Sequence, residues 1–336
     1  MPFTGVELAC CLQVECPFVV AGGRFDRLCV GLVLGGDLEA EGVVEQVLLG
    51  GLEVDPSGAV SWACRALAQV RRGRTAGVPE DNSVEGVGGA GHYGRLARDF
   101  DRYWAYSPAF VAWMAGRITH ALSLSPGDRI ADIGAGTGLY AREVARAVRP
   151  AHPVVCADPS PAMLARLNSP SPYLAPLLAS AEDVAEGRVD LPCERFDAVW
   201  LKEVVHHLAD PARTLAGLSA LLAPGGRLLV VMRPATLAYP LFPAALARFQ
   251  ESQPDPAEIA HHLRSAGLTT TLTYAEHELR IGLDRHCTMV RARYMSLLST
   301  FSDGELEEGI QQIRAAHPGP ELVFPDRFAF ICARRC

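Results

Sequence analysis

The chain has 336 residues, of which 49% are hydrophobic and 21% are charged, and its formal net charge is −7. A chain of this length and composition is expected to fold around a sizeable buried core, and its negative charge disfavours nucleic acid as a partner. The apolar stretch over residues 17–36 is interrupted by Arg24, Asp26 and Arg27, so we expect no membrane span.

The ten cysteines are spaced irregularly and include no Cys-x-x-Cys pair, and no histidine follows them at the spacing of a zinc site. This pattern predicts reduced thiols, with neither a disulfide framework nor a metal centre. The first residues also lack the basic start and apolar block of a secretory signal. We therefore expect a cytoplasmic protein.

The first 92 residues differ in pattern from the rest. They contain short apolar runs and repeated glycine pairs without a helical or alternating period, and residues 71–92 are rich in glycine, charge and small side chains. We interpret residues 1–92 as an N-terminal extension and linker. The extension is either poorly ordered, a targeting segment or a small appended subdomain.

From residue 93 onward, predicted helices and strands alternate regularly. Such alternation implies a parallel sheet covered by helices on both faces. Ser107-Pro108 is a capping pair for the second helix. The predicted helices are 94–105, 107–122, 138–149, 161–168, 211–223 and 256–267, and the predicted strands are 129–133, 153–158, 174–179, 196–201 and 227–232.

The C-terminal part follows a different pattern. An alternating run at 269–281 and an apolar run at 322–333 are expected to form a hairpin-like pair of strands. The residues between them, 284–317, are typical of two helices, so they predict a helical insert within the pair.

Asp132-Ile133-Gly134-Ala135-Gly136-Thr137-Gly138 connects the first predicted strand to the following helix. Glycines at alternate positions let the backbone turn sharply and let a ligand approach the main chain. A dinucleotide-binding turn would place its third glycine at position 139, where this chain has Leu139. An acid at the strand end would also repel a pyrophosphate. The stretch therefore favours S-adenosylmethionine, whose sulfonium and ammonium groups are cationic.

Two further strand ends supply candidate contacts to the same ligand, because ligands of such sheets bind beyond the carboxyl ends of the strands. Asp158 ends the second strand and can accept hydrogen bonds from both ribose hydroxyls, or it is a solvated cap. Ser180, Ala181 and Glu182 follow the third strand and are placed to contact the adenine.

Further motifs follow the glycine turn with Asp132 and the acid Asp158. They are Phe196-Asp197, His206-His207-Leu208 with Asp210-Pro211, and Leu222 to Leu228 with Pro224-Gly225-Gly226. With these motifs, the core from about Tyr93 to Arg233 resembles the class I S-adenosylmethionine-dependent methyltransferases, and more narrowly the small-molecule group that includes ubiquinone and menaquinone C-methyltransferases. The resemblance implies an α/β fold with a Rossmann-like, doubly wound sheet of seven strands and a helical lid. Residues 93–336 would then be the methyltransferase domain.

The resemblance also implies a set of cofactor contacts. Many relatives carry an acid where this chain has Ser180, so Glu182 or Asp183 is expected to take its place. Lys202, after the fourth strand, is either a functional amine or a solvated loop lysine. The predicted cofactor-binding residues are Asp132, Gly134, Ala135, Gly136, Thr137, Gly138, Asp158, Pro159, Met163, Ser180, Ala181, Glu182, Leu201 and Lys202.

Three titratable residues would lie near the transferred methyl group. Glu203, His206 or His207 could be the general base that takes a proton from the acceptor. Alternatively, the two histidines cap and pack the next helix.

Candidate substrate contacts come from outside the shared motifs. Tyr93, Tyr103 and Trp104 would belong to a lid over the site, or only to the buried face of that lid. Arg233 and Arg291 are candidates for holding an anionic acceptor.

The function that these residues imply is methyl transfer from S-adenosylmethionine to a small-molecule acceptor by in-line displacement, with positioning as the main source of acceleration. Two alternatives stay open. One is arsenite methylation, suggested by the many cysteines, although Cys193 and Cys287 have no evident partners in the core. The other is a non-catalytic protein that binds adenosylmethionine or a partner. The sequence determines neither the acceptor nor the oligomeric state.

Overall fold

The computed structural model describes residues 97, 99–167 and 171–336. The predicted extension over residues 1–92 and the predicted site residue Tyr93 lie outside this part of the chain.

A sheet of seven strands forms the centre of the described fold. Five strands fall where alternation with helices predicts them, and the last two form the expected pair. They are β1 Ile130–Ile133, β2 Val154–Asp158, β3 Leu174–Leu178, β4 Phe196–Lys202, β5 Leu222–Met232, β6 Thr269–Gly282 and β7 Glu321–Arg334.

Ten α-helices and two short 3₁₀ helices accompany these strands in the described residues. Many begin at a proline or a capping side chain, as Ser107, Asp210 and Ser302 show by accepting a backbone N–H three residues ahead. The α-helices are α1 Phe100–Trp104, α2 Pro108–Ala121, α3 Leu139–Val148, α4 Pro161–Leu167, α5 Ala181–Ala185, α6 Pro211–Ala220, α7 Pro243–Ser252, α8 Pro256–Ser265, α9 Leu283–Arg291 and α10 Asp303–Ala316, and the 3₁₀ helices are Val205–His207 and Ser296–Thr300.

The strand order is β3-β2-β1-β4-β5-β7-β6. The first five strands are parallel, whereas β7 runs antiparallel to both β5 and β6. The chain winds from β1 outward to β3 and then returns to place β4 on the other side of β1. This arrangement confirms the predicted doubly wound sheet, and its switch point lies between β1 and β4, where such folds bind ligands.

Both faces of the central strands are buried, which explains their uninterrupted apolar sequences. Met114 and Ile118 of α2 and Val144 of α3 belong to the core on one face. Leu218 of α6 and Leu263 of α8 belong to the core on the other. Full burial of each such side chain stabilises the fold by about 1.5–3 kcal/mol.

Three details of the region from α6 to α7 differ from the predictions. Strand β5 begins at Leu222 rather than 227, because Leu222 pairs with Phe196 before the register shifts and continues at Arg227. Helix α6 consequently ends at Ala220 instead of 223. Helix α7 was not predicted at all, although Pro243 begins it and its buried residues Ala245 and Phe249 lie one turn apart.

The predicted helical insert is present between β6 and β7. It consists of α9, the second 3₁₀ helix and α10. The two strands pair along their whole length, from Thr269 opposite Arg334 to Gly282 opposite Glu321, although β5 reaches only as far as Ala329 of β7. The pair therefore extends beyond the rest of the sheet and carries the insert at its far end.

Within the part of the chain that the structure describes, none of the helices combines the length and apolar character needed to cross a membrane.

Candidate functional site

A cavity of about 380 Å³ opens at the carboxyl ends of β1, β2 and β4. Its volume lies within the range that accommodates small ligands and cofactors. The cavity wall is mixed: strand ends and the glycine turn form one side, and helices form the other. The helical side consists of Phe100 and Trp104 of α1, Phe249 and Ser252 of α7 with Gln253 directly after it, and Met295, Ser296 and Leu297 of the insert.

The glycine turn needs its glycines. Gly134, Gly136 and Gly138 have φ angles of +76°, +57° and +74°, in the left-handed region that side chains disfavour. A Cβ at Gly134 would also overlap the side chain of Val204. The backbone N–H groups of Gly134 and Ala135 donate to the carbonyl of Ala157, at 2.7 and 2.9 Å, and so hold the turn against β2. The backbone thus lies open to the cavity at this point.

Asp132 is the next-to-last residue of β1 and is only 4% exposed. Burial and the neighbouring Asp158 raise its pKa to about 8, and Lys202 offsets this only in part. Among the described residues, no basic group forms an ion pair with it. A buried acid without a cationic partner is costly, and a cationic ligand would relieve that cost.

Asp158 closes β2 and supports the glycine turn. Its Oδ2 accepts the N–H of Gly136 at 2.8 Å, and its Oδ1 accepts the N–H of Ser160 at 2.9 Å. Burial raises its pKa, while these two hydrogen bonds oppose the shift. Because each carboxylate oxygen can accept more than one hydrogen bond, both keep capacity for ligand hydroxyls. The solvated-cap interpretation does not fit a carboxylate that is 8% exposed.

The other predicted cofactor contacts fall into two groups. Ala135, Pro159, Met163, Ser180, Ala181, Glu182 and Lys202 line the cavity together with Asp132, Gly134, Gly136 and Asp158. Thr137, Gly138 and Leu201 do not line it: the Thr137 hydroxyl donates to Asp101, and Leu201 is buried in the core.

Ser180 has a structural role at its position. Its hydroxyl accepts the N–H of Asp183 at 3.0 Å, and the Asp183 carboxylate accepts the N–H of Ser180 at 3.0 Å. This reciprocal capping box starts α5. Asp183 is therefore occupied by the cap, whereas Glu182 lines the cavity.

Lys202 is not a solvated loop lysine. It ends β4, and its Nζ lies 4.7 Å from the ring centroid of Tyr140 and 5.2 Å from that of Phe328. Burial lowers its pKa to about 8, with Glu203 opposing the shift. The lysine is thus a cavity-lining amine enclosed by aromatic rings.

Glu203 and Arg233 form a buried cluster with Asp326 and Tyr239. The Arg233 guanidinium contacts Glu203, donates to both oxygens of Asp326 at 3.0 Å, and donates to the Tyr239 hydroxyl at 2.8 Å. Although burial alone would raise the pKa of Glu203, Arg233 lowers it below its usual value.

This cluster changes two predicted roles. Arg233 is 0% exposed and lies within reach of the rings of Trp104, Tyr239 and Phe328, so it has no free face with which to hold an acceptor. Glu203 lines the cavity but is held ionised by Arg233, which makes it a poor proton acceptor.

The two histidines occupy different environments. His206 lines the cavity, its Nδ1 is buried without a hydrogen-bond partner, and burial lowers its pKa, so it is neutral near pH 7. His207 also lines the cavity but is exposed, and its ring lies 4.0 Å from that of His206. The chemistry of a general base therefore fits His206 better.

The remaining substrate predictions are met unevenly. Trp104 lines the cavity, whereas Tyr103 packs against the core. Arg291 was expected near the acceptor, but it lies on the exposed side of α9 in an ion pair with Glu307, outside the cavity lining. Its helix points the side chain away from the site, which spacing alone does not reveal.

Several lining residues were missed by sequence reasoning. Leu139 and Tyr140 begin α3 directly after the glycine turn, so their proximity to the site follows from the motif and was predictable. Phe249, Met295 and Leu297 carry no such signal, because only tertiary packing brings α7 and the insert to the cavity.

No metal centre is formed by the described residues: nowhere do three His, Cys, Asp or Glu side chains come together to hold an ion. Cys193 and Cys287 are free thiols, and neither lines the cavity.

Part of this chain is similar in sequence to known methyltransferases. Residues 131–228 match a family model described as a methyltransferase domain. An uncharacterized methyltransferase of Mycobacterium tuberculosis is 34% identical over 125 residues, which cover 37% of this chain and 44% of the relative. A ubiquinone biosynthesis O-methyltransferase of Xanthomonas axonopodis is 29% identical over 180 residues, covering 49% of this chain and 70% of the relative. The chain thus spans less than half the length of the mycobacterial relative.

A solved structure has the same fold. The crystal structure of a protein of Anabaena variabilis, named for methyl transfer in an antibiotic biosynthesis pathway, has a TM-score of 0.50 and covers 65% of this chain and 95% of its own. At 18% sequence identity, this likeness bears on the fold alone. The matched model thus places a methyltransferase domain at residues 131–228, and the described fold around it is shared with the Anabaena variabilis protein.

Proposed function

We propose that this protein transfers a methyl group from S-adenosylmethionine to a small-molecule acceptor. One observation carries the proposal. A single cavity joins the open glycine turn and two buried acids to a chamber of aromatic and apolar side chains. The acids and the turn suit a cationic nucleoside, and the chamber suits a small organic acceptor beside it.

The residues present fit S-adenosylmethionine. Asp132 is a buried acid without a basic ion-pair partner in the described chain, and the cofactor carries an ammonium and a sulfonium. Gly134 and Gly136 leave the main chain accessible, where a Cβ at Gly134 would displace Val204. Asp158 would accept the ribose hydroxyls, and Ala181 with Glu182 would border the adenine.

When bound, S-adenosylmethionine supplies a methyl group already activated by its positive sulfur. The protein then has to hold the acceptor in line and exclude water, which accounts for the aromatic wall formed by Trp104, Tyr140 and Phe249. If the acceptor carries a proton, the neutral His206 is placed to receive it. Glu203 would instead keep Arg233 in place.

Calorimetry with S-adenosylmethionine tests the cofactor site. We expect Asp158→Asn to weaken binding about ten- to a hundredfold, because hydrogen bonds to a charged group contribute about 1.5–3 kcal/mol. Asp255→Asn is the matched control, since Asp255 caps α8 outside the cavity and asparagine also caps helices.

Incubation with methyl-labelled S-adenosylmethionine and a small-molecule extract, followed by mass spectrometry, then identifies the acceptor. If the wild-type protein does not bind S-adenosylmethionine, the proposal fails. If it binds but labels no small molecule, methyl transfer to this class of acceptor is excluded.

A further inference from the structure

Lys202 is the one lysine in the sequence. It lines the cavity at the carboxyl end of β4. Within the described residues, its ammonium makes neither a hydrogen bond nor an ion pair, and its close partners are the rings of Tyr140 and Phe328. Aromatic faces stabilise a cation but offer no oxygen for its three N–H donors. An ammonium in this position has unused hydrogen-bonding capacity.

The acids near Lys202 are engaged elsewhere. Glu203 and Asp326 both bind Arg233 within the buried cluster. Asp132 interacts with Lys202 through space, but burial holds the pKa of its carboxyl near 8. Burial likewise lowers the pKa of Lys202 to about 8. Arg233 acts in the same direction, whereas Glu203, Asp326 and Asp132 oppose the shift. The protein therefore surrounds this lysine without neutralising it.

The position of Lys202 favours an acceptor over the cofactor, so this inference replaces the cofactor contact that the resemblance implied for it. Asp158 and Ser180, at the ends of β2 and β3, lie on one side of the switch point. Lys202 extends toward Phe328 of β7, on the other side. The helical wall of the cavity contributes Trp104, Phe249, Met295 and Leu297, which are aromatic or apolar.

We propose that Lys202 receives a carboxylate of the acceptor, so that the substrate is a largely apolar, planar organic acid. This inference rests on the proposed function. It also relocates the anion-binding role that the sequence suggested for Arg233 and Arg291, since the first is enclosed by its own cluster and the second lies outside the cavity lining. A charge-assisted hydrogen bond from an enclosed lysine is strong enough to select an acid over its neutral amide.

The single lysine allows a direct test. Full-length protein labelled with ¹³C at the lysine Cε gives one side-chain signal. Its chemical shift reports protonation of the Lys202 amine and the groups that bind it. The first probe is S-adenosylhomocysteine. Naphthalene-2-carboxylate or naphthalene-2-carboxamide is then added to the protein loaded with S-adenosylhomocysteine. We expect the carboxylate to shift the signal and to raise the pKa of Lys202, and the carboxamide to leave both unchanged.

Variants of Lys202 distinguish a carboxylate of the acceptor from the carboxylate of the cofactor. Lys202→Met keeps an apolar stem but no charge, and we expect it to lose at least about tenfold in naphthalene-2-carboxylate affinity while binding S-adenosylhomocysteine as the wild type does. Lys202→Arg should retain most of the preference for the acid. Unchanged binding of S-adenosylhomocysteine also shows that the Lys202→Met variant is folded.

Two results would overturn the inference. In one, S-adenosylhomocysteine shifts the lysine signal and 5′-methylthioadenosine, which has no carboxylate, does not. If the Lys202→Met variant also loses affinity for S-adenosylhomocysteine, Lys202 binds the carboxylate of the cofactor. In the other, the lysine signal responds to neither carboxylate. If the wild type does not bind S-adenosylhomocysteine, that result would instead contradict the proposed function itself.

Discussion

At the scale of single residues, the site is defined by ionisable groups whose environments oppose their charge. Asp132 and Lys202 lie near the carboxyl ends of neighbouring strands, and burial moves the pKa of each toward 8. Perturbed groups of this kind concentrate at functional sites, because binding requires charges that the fold alone does not neutralise. Arg233 shows the contrast, since its own acids surround it.

We expect Asp132 to make cofactor binding depend on pH. With a pKa of about 8 in the free protein, its carboxyl is largely protonated at neutral pH, and a cationic ligand has to displace that proton. We expect the affinity for S-adenosylmethionine to rise as pH increases from 6 to 8, by up to about tenfold per pH unit, and then to level off. Calorimetry between pH 6 and 8 measures this affinity, together with the number of protons released on binding.

Asp132→Asn provides the comparison. Asparagine has no proton to lose, so the variant should bind more weakly at pH 8 and show a much flatter pH profile. A wild-type profile without slope between pH 6 and 8 would show that Asp132 is already ionised or does not face the cationic ligand.

At the scale of elements, α1 covers the cavity and is held from two sides. Asp101 accepts the hydroxyl of Thr137 and lies 3.2 Å from Arg142, which joins α1 to the glycine turn. Arg285 of the insert donates to the carbonyl of Arg102 at 2.9 Å. A helix of five residues is not stable by itself, so these contacts determine how firmly it closes the site.

Asp101→Ala should loosen this cover. We expect amide hydrogen exchange in residues 100–106 to accelerate about tenfold, since a charge-assisted hydrogen bond contributes on the order of 1.5 kcal/mol, with exchange in β1 and β4 unchanged. Hydrogen exchange followed by mass spectrometry resolves these segments.

Asp284→Ala is the control, because Asp284 forms an exposed ion pair with Arg314 on the insert. It should leave exchange over 100–106 as in the wild type. Equal acceleration in both variants would show that the link between Asp101 and the glycine turn does not restrain α1.

At the scale of the whole molecule, the Arg233 cluster ties together segments that are distant in sequence. Glu203 follows β4, Arg233 follows β5, and Asp326 belongs to β7. The cluster thus joins the parallel half of the sheet to the antiparallel pair beside the cavity. Breaking a buried ion pair leaves an unpaired charge, which is far more costly than losing a pair at the surface.

Asp326→Asn should therefore destabilise the described domain by about 3–5 kcal/mol, measured as a lower midpoint of urea unfolding. Arg291→Ala removes an exposed ion pair and should leave that midpoint unchanged. If Asp326→Asn unfolds at the wild-type midpoint, the cluster does not support the junction between β5 and β7.

Local patterns in the sequence predict the order of the central elements and favour S-adenosylmethionine as the cofactor. The glycine turn, the acids at two strand ends and the apolar strands are local patterns, and their geometry follows from neighbours in the chain. Which charges stay available for a ligand depends on the packing of the folded chain. Lys202 was open to two interpretations and Arg233 was a candidate anion site until packing placed Phe328 beside the first and Asp326 beside the second. These partners lie far away in sequence, and the position of β7 in the sheet brings them in, so no local periodicity could reveal them.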